Sequence, residues 1–461
     1  MVSGCALLVD YVLTIAVSVA SAGDALWSFL PRSCLVAKLP VEGAIIASLT
    51  MLNVRGVRES VSALLPVFLI FLGTHAVALG GGFIAHLPEL GTTVEHARQG
   101  FSEGLGSLGT IGMLLLFVHA YSMGGGTYTG LEAVSNGLPI MREPRVQTGQ
   151  RTMLYMAASL AITAGGLLVC YLLWHVSPVE GKTMNAAFFE RLTAGIPGGT
   201  AFVIVTLISE GALLVVGAQA GFIDGPRVLA NMAVDSSMPR RFSALSDRLT
   251  TQNGILLMGA AALAVLLYTH GDVRHLVVMY SINVFLTFSL SMFGTARSTI
   301  QTRARREHWR RQAGLFVFGF LLCASILLVT TVEKFAEGGW VTLLVTSMLV
   351  GLCFLVQRHY NRVGAKLRQL FVDLESIPSE PEAVLLSLEA TQPTAALSCG
   401  RVRGPGNPRA ATSRSTSTWG DGSGSRPPIA WRPGSTWWTR PRSCACRWQG
   451  SSRTRPTSRA R

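Results

Sequence analysis

The chain has 461 residues, of which 49% are hydrophobic and 14% charged, and its mean hydropathy is +0.42. An ordinary soluble domain carries roughly 25% charged residues, so this composition excludes a soluble globular enzyme and fits a lipid-embedded chain. The formal charge of +14 does not describe the whole molecule: from Ser398 onward there are thirteen arginines, one acid (Asp421) and no lysine, and this stretch alone carries +12.

Ten apolar runs near the length needed to span a bilayer follow one another. They are Ser3–Ala22, Leu39–Val54, Ser62–Ile84, Leu108–Tyr121, Thr152–Val176, Thr200–Phe222, Gly254–Thr269, Val273–Thr295, Gly314–Thr331 and Trp340–Val356. The first begins directly after Met1. Asp10 interrupts its apolar centre and no cationic flank precedes it, which argues against a signal peptide. Asp10, Thr14 and Ser18 recur at i, i+4, i+8 and line one helix face, with Tyr11 beside them. A carboxylate above two hydroxyls offers hard oxygen ligands to a small cation. Helix packing through Ser and Thr accounts equally for Thr14 and Ser18 but not for Asp10, because a carboxylate in lipid needs a functional reason. The second run is short for a crossing.

The fourth run leads into His119–Asn136, HAYSMGGGTYTGLEAVSN. One glycine inside a helix costs about 1 kcal/mol, so Gly124, Gly125 and Gly126 in a row predict unwound backbone. Irregular backbone at membrane depth survives only against protein or a water-filled cavity, and secondary transporters put their substrate sites at such breaks. No P-loop lysine follows the glycines. On the resumed half-helix Thr127–Leu138, Thr129 precedes Glu132 by one turn. Glu132 suits two roles, a proton-carrying carboxyl or an ion-pair partner for Arg142 or Arg145. His119 reads as a packing residue. Glu210, in VTLISEGALLVVGAQ, lies deeper and is a proton-relay candidate. Tyr280 and Asn283 could face a cavity.

Basic residues alternate between connections. One side holds Arg55 and Arg58, then Arg142, Arg145 and Arg151, then Arg227, Arg240, Arg241 and Arg248. The same side continues with the arginines from Arg297 to Arg311 and with Arg358 to Arg368. The opposite connections hold few cations, so both ends of the ten-helix set are expected in the cytoplasm, with the protein in the cell's inner (plasma) membrane. Residues 358–397 read as the start of a cytoplasmic region. Residues 398–461 lack any core-forming periodicity and read as a disordered tail. A functional basic arm would bind nucleic acid or anionic lipid; the absence of lysine favours out-of-frame translation of GC-rich DNA, and no nucleic-acid partner is expected. The eight cysteines are scattered, most lie in or near spans and read as packing residues, and Cys444–Cys446 is a lone C-x-C. No Ser-His-Asp set, metal-binding His/Cys cluster or nucleotide fingerprint occurs, so neither covalent enzymology nor a cofactor is expected.

Several motifs converge on one family. NVRGVRES (Asn53–Ser60) resembles the cytoplasmic end of the fourth helix of the amino acid–polyamine–organocation (APC) superfamily. GGGTYTGLEAVSNGLPIMREP resembles the sixth helix of its KimA-like potassium importer branch. GPRVLANMAVDSSMP resembles the short cytoplasmic helix that follows the eighth span, and LSDRLTTQNGI and EKFAEGGWVTLL suit the same branch. The similarity runs from the first residues to about Leu397. It implies an all-α, integral-membrane, LeuT-like fold of inverted repeats, with the site at two broken helices. Asp10, Tyr11, Thr14 and Ser18 then match a potassium face on the third helix, and Thr129 matches a sixth-helix ligand. Potassium would be held at Asp10, Tyr11, Thr14 and Thr129, with Tyr280 matching a tenth-helix tyrosine. Glu132 and Glu210 are the proton-coupling candidates. The resemblance also implies that this chain begins in the family's third helix and lacks the first two. It is therefore expected to be a truncated potassium/proton symporter, 1–357 forming the transporter domain, inactive as it stands, with homodimerisation a property of the full-length family. The alternatives are an amino acid or organic cation permease, and a non-transporting remnant or interaction protein.

Overall fold

A computed structural model describes residues 1–56, 61–124, 141–246, 250–303 and 308–375, with Val134 and Leu138. The chain divides into two units, 1–378 and 379–461; the described helices belong to the first, and the expected arginine tail lies outside the described residues. Among the described residues there are helices and no strands. They are α1 (Val2–Trp27), α2 (Lys38–Val54), α3 (Val61–Ala85), α4 (Leu90–Met123), α5 (Arg145–Leu173) and α6 (Met184–Leu192). Then follow α7 (Gly199–Val234), α8 (Gln252–Tyr268), α9 (Val273–Gln301), α10 (Trp309–Lys334) and α11 (Trp340–Glu375). Helices meet what lipid demands, since each backbone N–H and C=O finds its partner within the segment.

Among the described residues eight stretches are long and apolar enough to cross a membrane, and α8 is a shorter apolar helix. The last stretch, Trp309–Leu370, holds both α10 and α11, divided by a kink at Phe335–Gly339 where Gly338 has φ 109°. This is a multi-pass membrane protein, and each of the ten expected spans falls on one of these helices.

Three boundaries differ from the sequence reading, each for a physical reason. Helix α4 starts at Leu90, well before Leu108, because its first half is helical but polar, with Glu95, His96, Arg98 and Glu103. Hydropathy does not register such a segment. Gly109, at φ 69° and ψ 174°, separates that half from the apolar arm. Helix α7 runs unbroken through Pro226 to Val234, so the segment resembling a separate short helix continues the span. The ring of Pro226 packs against α8, where a Cβ on Gly254 would stand 3.1 Å from its Cβ. Helix α6 was not anticipated; Thr183 caps it by accepting from the Ala186 N–H (3.2 Å), and it buries Phe188 and Phe189 completely.

Helix α1 is the centre of the molecule. Its Cys5, Leu8, Tyr11, Ile15 and Val19 join Ile46 and Leu49 of α2, Phe222 and Leu229 of α7, and Met258 and Leu266 of α8 in one core. The seam with α7 is close because Gly211, Gly217 and Gly221 face α1, whereas Gly225 meets Met258 of α8. A Cβ on Gly221 would lie 2.6 Å from Ile15 Cγ1 and 2.8 Å from the Tyr11 carbonyl oxygen. A smaller core joins α3, α5, α6 and α7 around Ala78, Cys170, Phe189 and Leu207.

Candidate functional site

The α1 face predicted from spacing is buried throughout. Asp10 is 3% exposed, Thr14 2% and Ser18 8%, and Tyr11 is buried beside them. Burial on all sides of α1 follows from its central position, so a carboxylate and two hydroxyls stand inside protein and not against lipid. Ser18 faces α7, 3.8 Å from where Gly217 would carry a Cβ. The Thr14 hydroxyl is enclosed and makes no hydrogen bond among the described residues.

Helix α9 packs along the neighbouring side of α1. Tyr280, 1% exposed, clusters with Val9 and Leu13, which flank Asp10 in sequence. Asn283 donates through Nδ2 to the Ala6 carbonyl at 2.7 Å, one turn before Asp10, and Thr346 of α11 donates to its Oδ1 at 3.4 Å. The amide thereby fixes α9 and α11 against the first turns of α1. The Tyr121 ring, near the end of α4, stands 6.3 Å from that of Phe285 on α9. Helix α9 therefore touches α1 through Tyr280 and Asn283 and the end of α4 through Phe285.

Helix α4 ends at Met123, immediately before the three glycines, and Gly124 is half-buried. Gly125, Gly126, Thr129 and Glu132 lie outside the described residues. His119, expected to be a packing residue, instead meets a charge: its Nδ1 contacts Glu333 Oε2 at the end of α10. That contact ties the arm leading into the glycines to α10.

Glu210 sits apart from the α1 face. Its Oε1 accepts from Asn185 Nδ2 at 2.7 Å, while Asn185 Oδ1 accepts from the Tyr171 hydroxyl. The other oxygen, Oε2, is enclosed without a hydrogen bond among the described residues. Asn185 lies on the unanticipated α6, and its only sequence signal was the capping Thr183 just before an amphipathic run. The sequence reading also passed over Glu42, the most enclosed carboxylate described: it is fully buried, and neither oxygen has a hydrogen bond among the described residues. Its place one turn into α2 made it look like an ordinary helix-end polar residue.

A cavity of about 370 Å³ opens between α1, α8, α9 and α11, lined by residues such as Leu8, Val12, Ala261, Val345 and Leu349. Its apolar walls offer nothing to a cation, and none of the predicted site residues lines it. Among the described residues no three His, Cys, Asp or Glu side chains gather as a metal site.

A buried carboxylate–hydroxyl face on the central helix is an arrangement suited to a dehydrated cation. No protein-family model matches the chain. A curated relative does. It is the potassium transporter KimA of Bacillus subtilis (strain 168), 29% identical over 388 residues that make up 83% of this chain. The match takes in 60% of that protein, so the chain spans less than two thirds of its relative's length.

Proposed function

We propose that this chain is the membrane part of a potassium/proton symporter of the APC superfamily, with a LeuT-like inverted-repeat fold. The observation that carries the reading is the burial of Asp10 and Thr14 on one face of the central helix. Potassium is large and weakly hydrated for a cation, so a few oxygen ligands with one carboxylate charge can replace part of its water shell. Asp10, Tyr11 and Thr14 supply the α1 side of that shell, and Thr129 and Tyr280 the opposing side. Glu132 and Glu210 are the carboxyls available to carry a proton. The relative's name, a potassium transporter, supports a transport role and no enzymatic one.

The basic residues gathered at alternate connections support an orientation with both ends of the helix set in the cytoplasm. The test is uptake by proteoliposomes carrying the protein expressed from its natural gene, under an inward proton gradient. Saturable rubidium uptake that potassium inhibits is the expected result. Uptake of an amino acid or organic cation without rubidium uptake would assign the permease reading, and no uptake of either would mark a non-transporting protein.

A further inference from the structure

The slot around Glu42 is built for a carboxyl group and for little else. Three elements meet there: the last turn of α1, the first turn of α2, and the turn between α8 and α9. A Cβ on Gly23 of α1 would stand 2.1 Å from Glu42 Oε1, and one on Gly271 would stand 2.5 Å from Oε2. Any side chain at either position would therefore occupy the space of a carboxyl oxygen. Gly271 is also at φ 69°, so its glycine serves both the turn and the slot.

The charges are unequal. Lys38, on the same helix, is 3.7 Å from Glu42 Oε1, but its ammonium lies against Asp24 of α1. Two carboxyls thus share one ammonium. Asp24 is 37% exposed and holds the direct contact, whereas Glu42 is fully buried with no hydrogen bond to either oxygen among the described residues. From the α8–α9 turn, Asp272 faces its own helix, bonded to the Arg274 N–H (2.9 Å) and His275 (3.0 Å). A second uncompensated anion in an enclosed slot is the costliest way to fill it, and a proton removes that charge without changing the shape of the group.

We propose that Glu42 is a proton-binding site, separate from the Asp10 face, with Asp24 and Lys38 as the fixed ion pair beside it. The basic residues put this junction at the end of the bundle away from the cytoplasm, where an inward-moving proton enters. That Glu42 takes up the proton which accompanies the cation rests on the symport reading above; that it holds a proton does not.

The experiment is infrared spectroscopy of the purified full chain in an ester-free detergent. Wild type is expected to show a carboxylic acid C=O band at neutral pH that Glu42→Gln removes. Identical bands in the two proteins would overturn the proposal. If Glu42→Gln fails to fold, Lys38→Met serves: losing the ammonium should carry the band to higher pH, and an unchanged titration would overturn the proposal. Uptake by the protein from its natural gene separates the two claims. Glu42→Gln is expected to abolish the acceleration of rubidium uptake by external acid. Retained acceleration with the band lost leaves the proton site and removes it from coupling, and absent rubidium uptake in wild type contradicts the symport reading alone.

Discussion

Replacing Gly221 with alanine tests whether the α1–α7 seam sets the position of the ion face. The new Cβ would lie 2.6 Å from Ile15 Cγ1 and 2.8 Å from the Tyr11 carbonyl oxygen. Normal carbon contacts need about 3.5–4.0 Å, so the helices must part by something on the order of 0.5–1 Å. One of the two obstacles is backbone and cannot rotate away. Overpacking of this kind costs about 1–3 kcal/mol, offset in part by the roughly 1 kcal/mol that alanine gains over glycine in a helix. The net expectation is a loss of roughly 0–2 kcal/mol. Gly165 of α5 provides the control, since a Cβ there meets nothing within 4 Å. Alanine at 165 should leave stability unchanged or raise it by up to about 1 kcal/mol. Tryptophan-fluorescence melts of the two variants in one detergent give the comparison. The predicted order is Gly221→Ala below wild type and Gly165→Ala at or above it. If both variants melt alike, α1 and α7 are not packed through Gly221 and the burial assigned to the Asp10 face is wrong.

Two further outcomes follow from hydrogen-bond geometry. Glu210→Gln should leave stability unchanged or higher, because the amide keeps the oxygen that accepts from Asn185 while Oε2 has no hydrogen bond to lose among the described residues. Glu210→Leu should cost about 1–3 kcal/mol by stranding Asn185; equal melting losses for Gln and Leu would contradict this geometry. At the α8–α9 turn, burial pushes the Asp272 carboxyl up, but the bonds to His275 and the Arg274 N–H outweigh it and hold the group below its usual value. A depressed carboxyl contributes stability above its unfolded value of about 3.9, and that stability disappears as pH falls through the folded value. Asp272→Asn should therefore lower the melting temperature at neutral pH and have little effect in strong acid; a loss independent of pH would show that its charge is irrelevant.

The helices of the membrane part were legible because lipid imposes one simple requirement, a long apolar run, and each such run became a helix. Period alone put Asp10, Thr14 and Ser18 on one face, and their burial agrees with it. What hydropathy could not supply was the partner of each face. The glycines at 217, 221 and 225 are visible in the sequence, yet only the structure pairs Gly221 with Tyr11 and Ile15 and turns Gly225 toward Met258. Glu42 escaped for the same reason: its slot is made by Gly23 and Gly271, far apart in sequence, and a lone acid one turn into a helix gives no hint of them. Asn185 was hidden by the shortness of α6, a nine-residue helix without a membrane-length signal. Polar α4 residues before Gly109 were invisible to any apolar window. The proposed ligand Thr129 and the proton-coupling candidate Glu132 lie outside the described residues.

The most direct test of the central claim is rubidium uptake by Asp10→Asn in the protein expressed from its natural gene. Asparagine preserves the shape of the buried side chain and removes only the charge that balances a partly dehydrated cation. The account predicts that uptake is abolished while melting temperature and membrane yield stay near wild type. Wild-type uptake by the folded mutant would contradict it and take Asp10 out of the ion site.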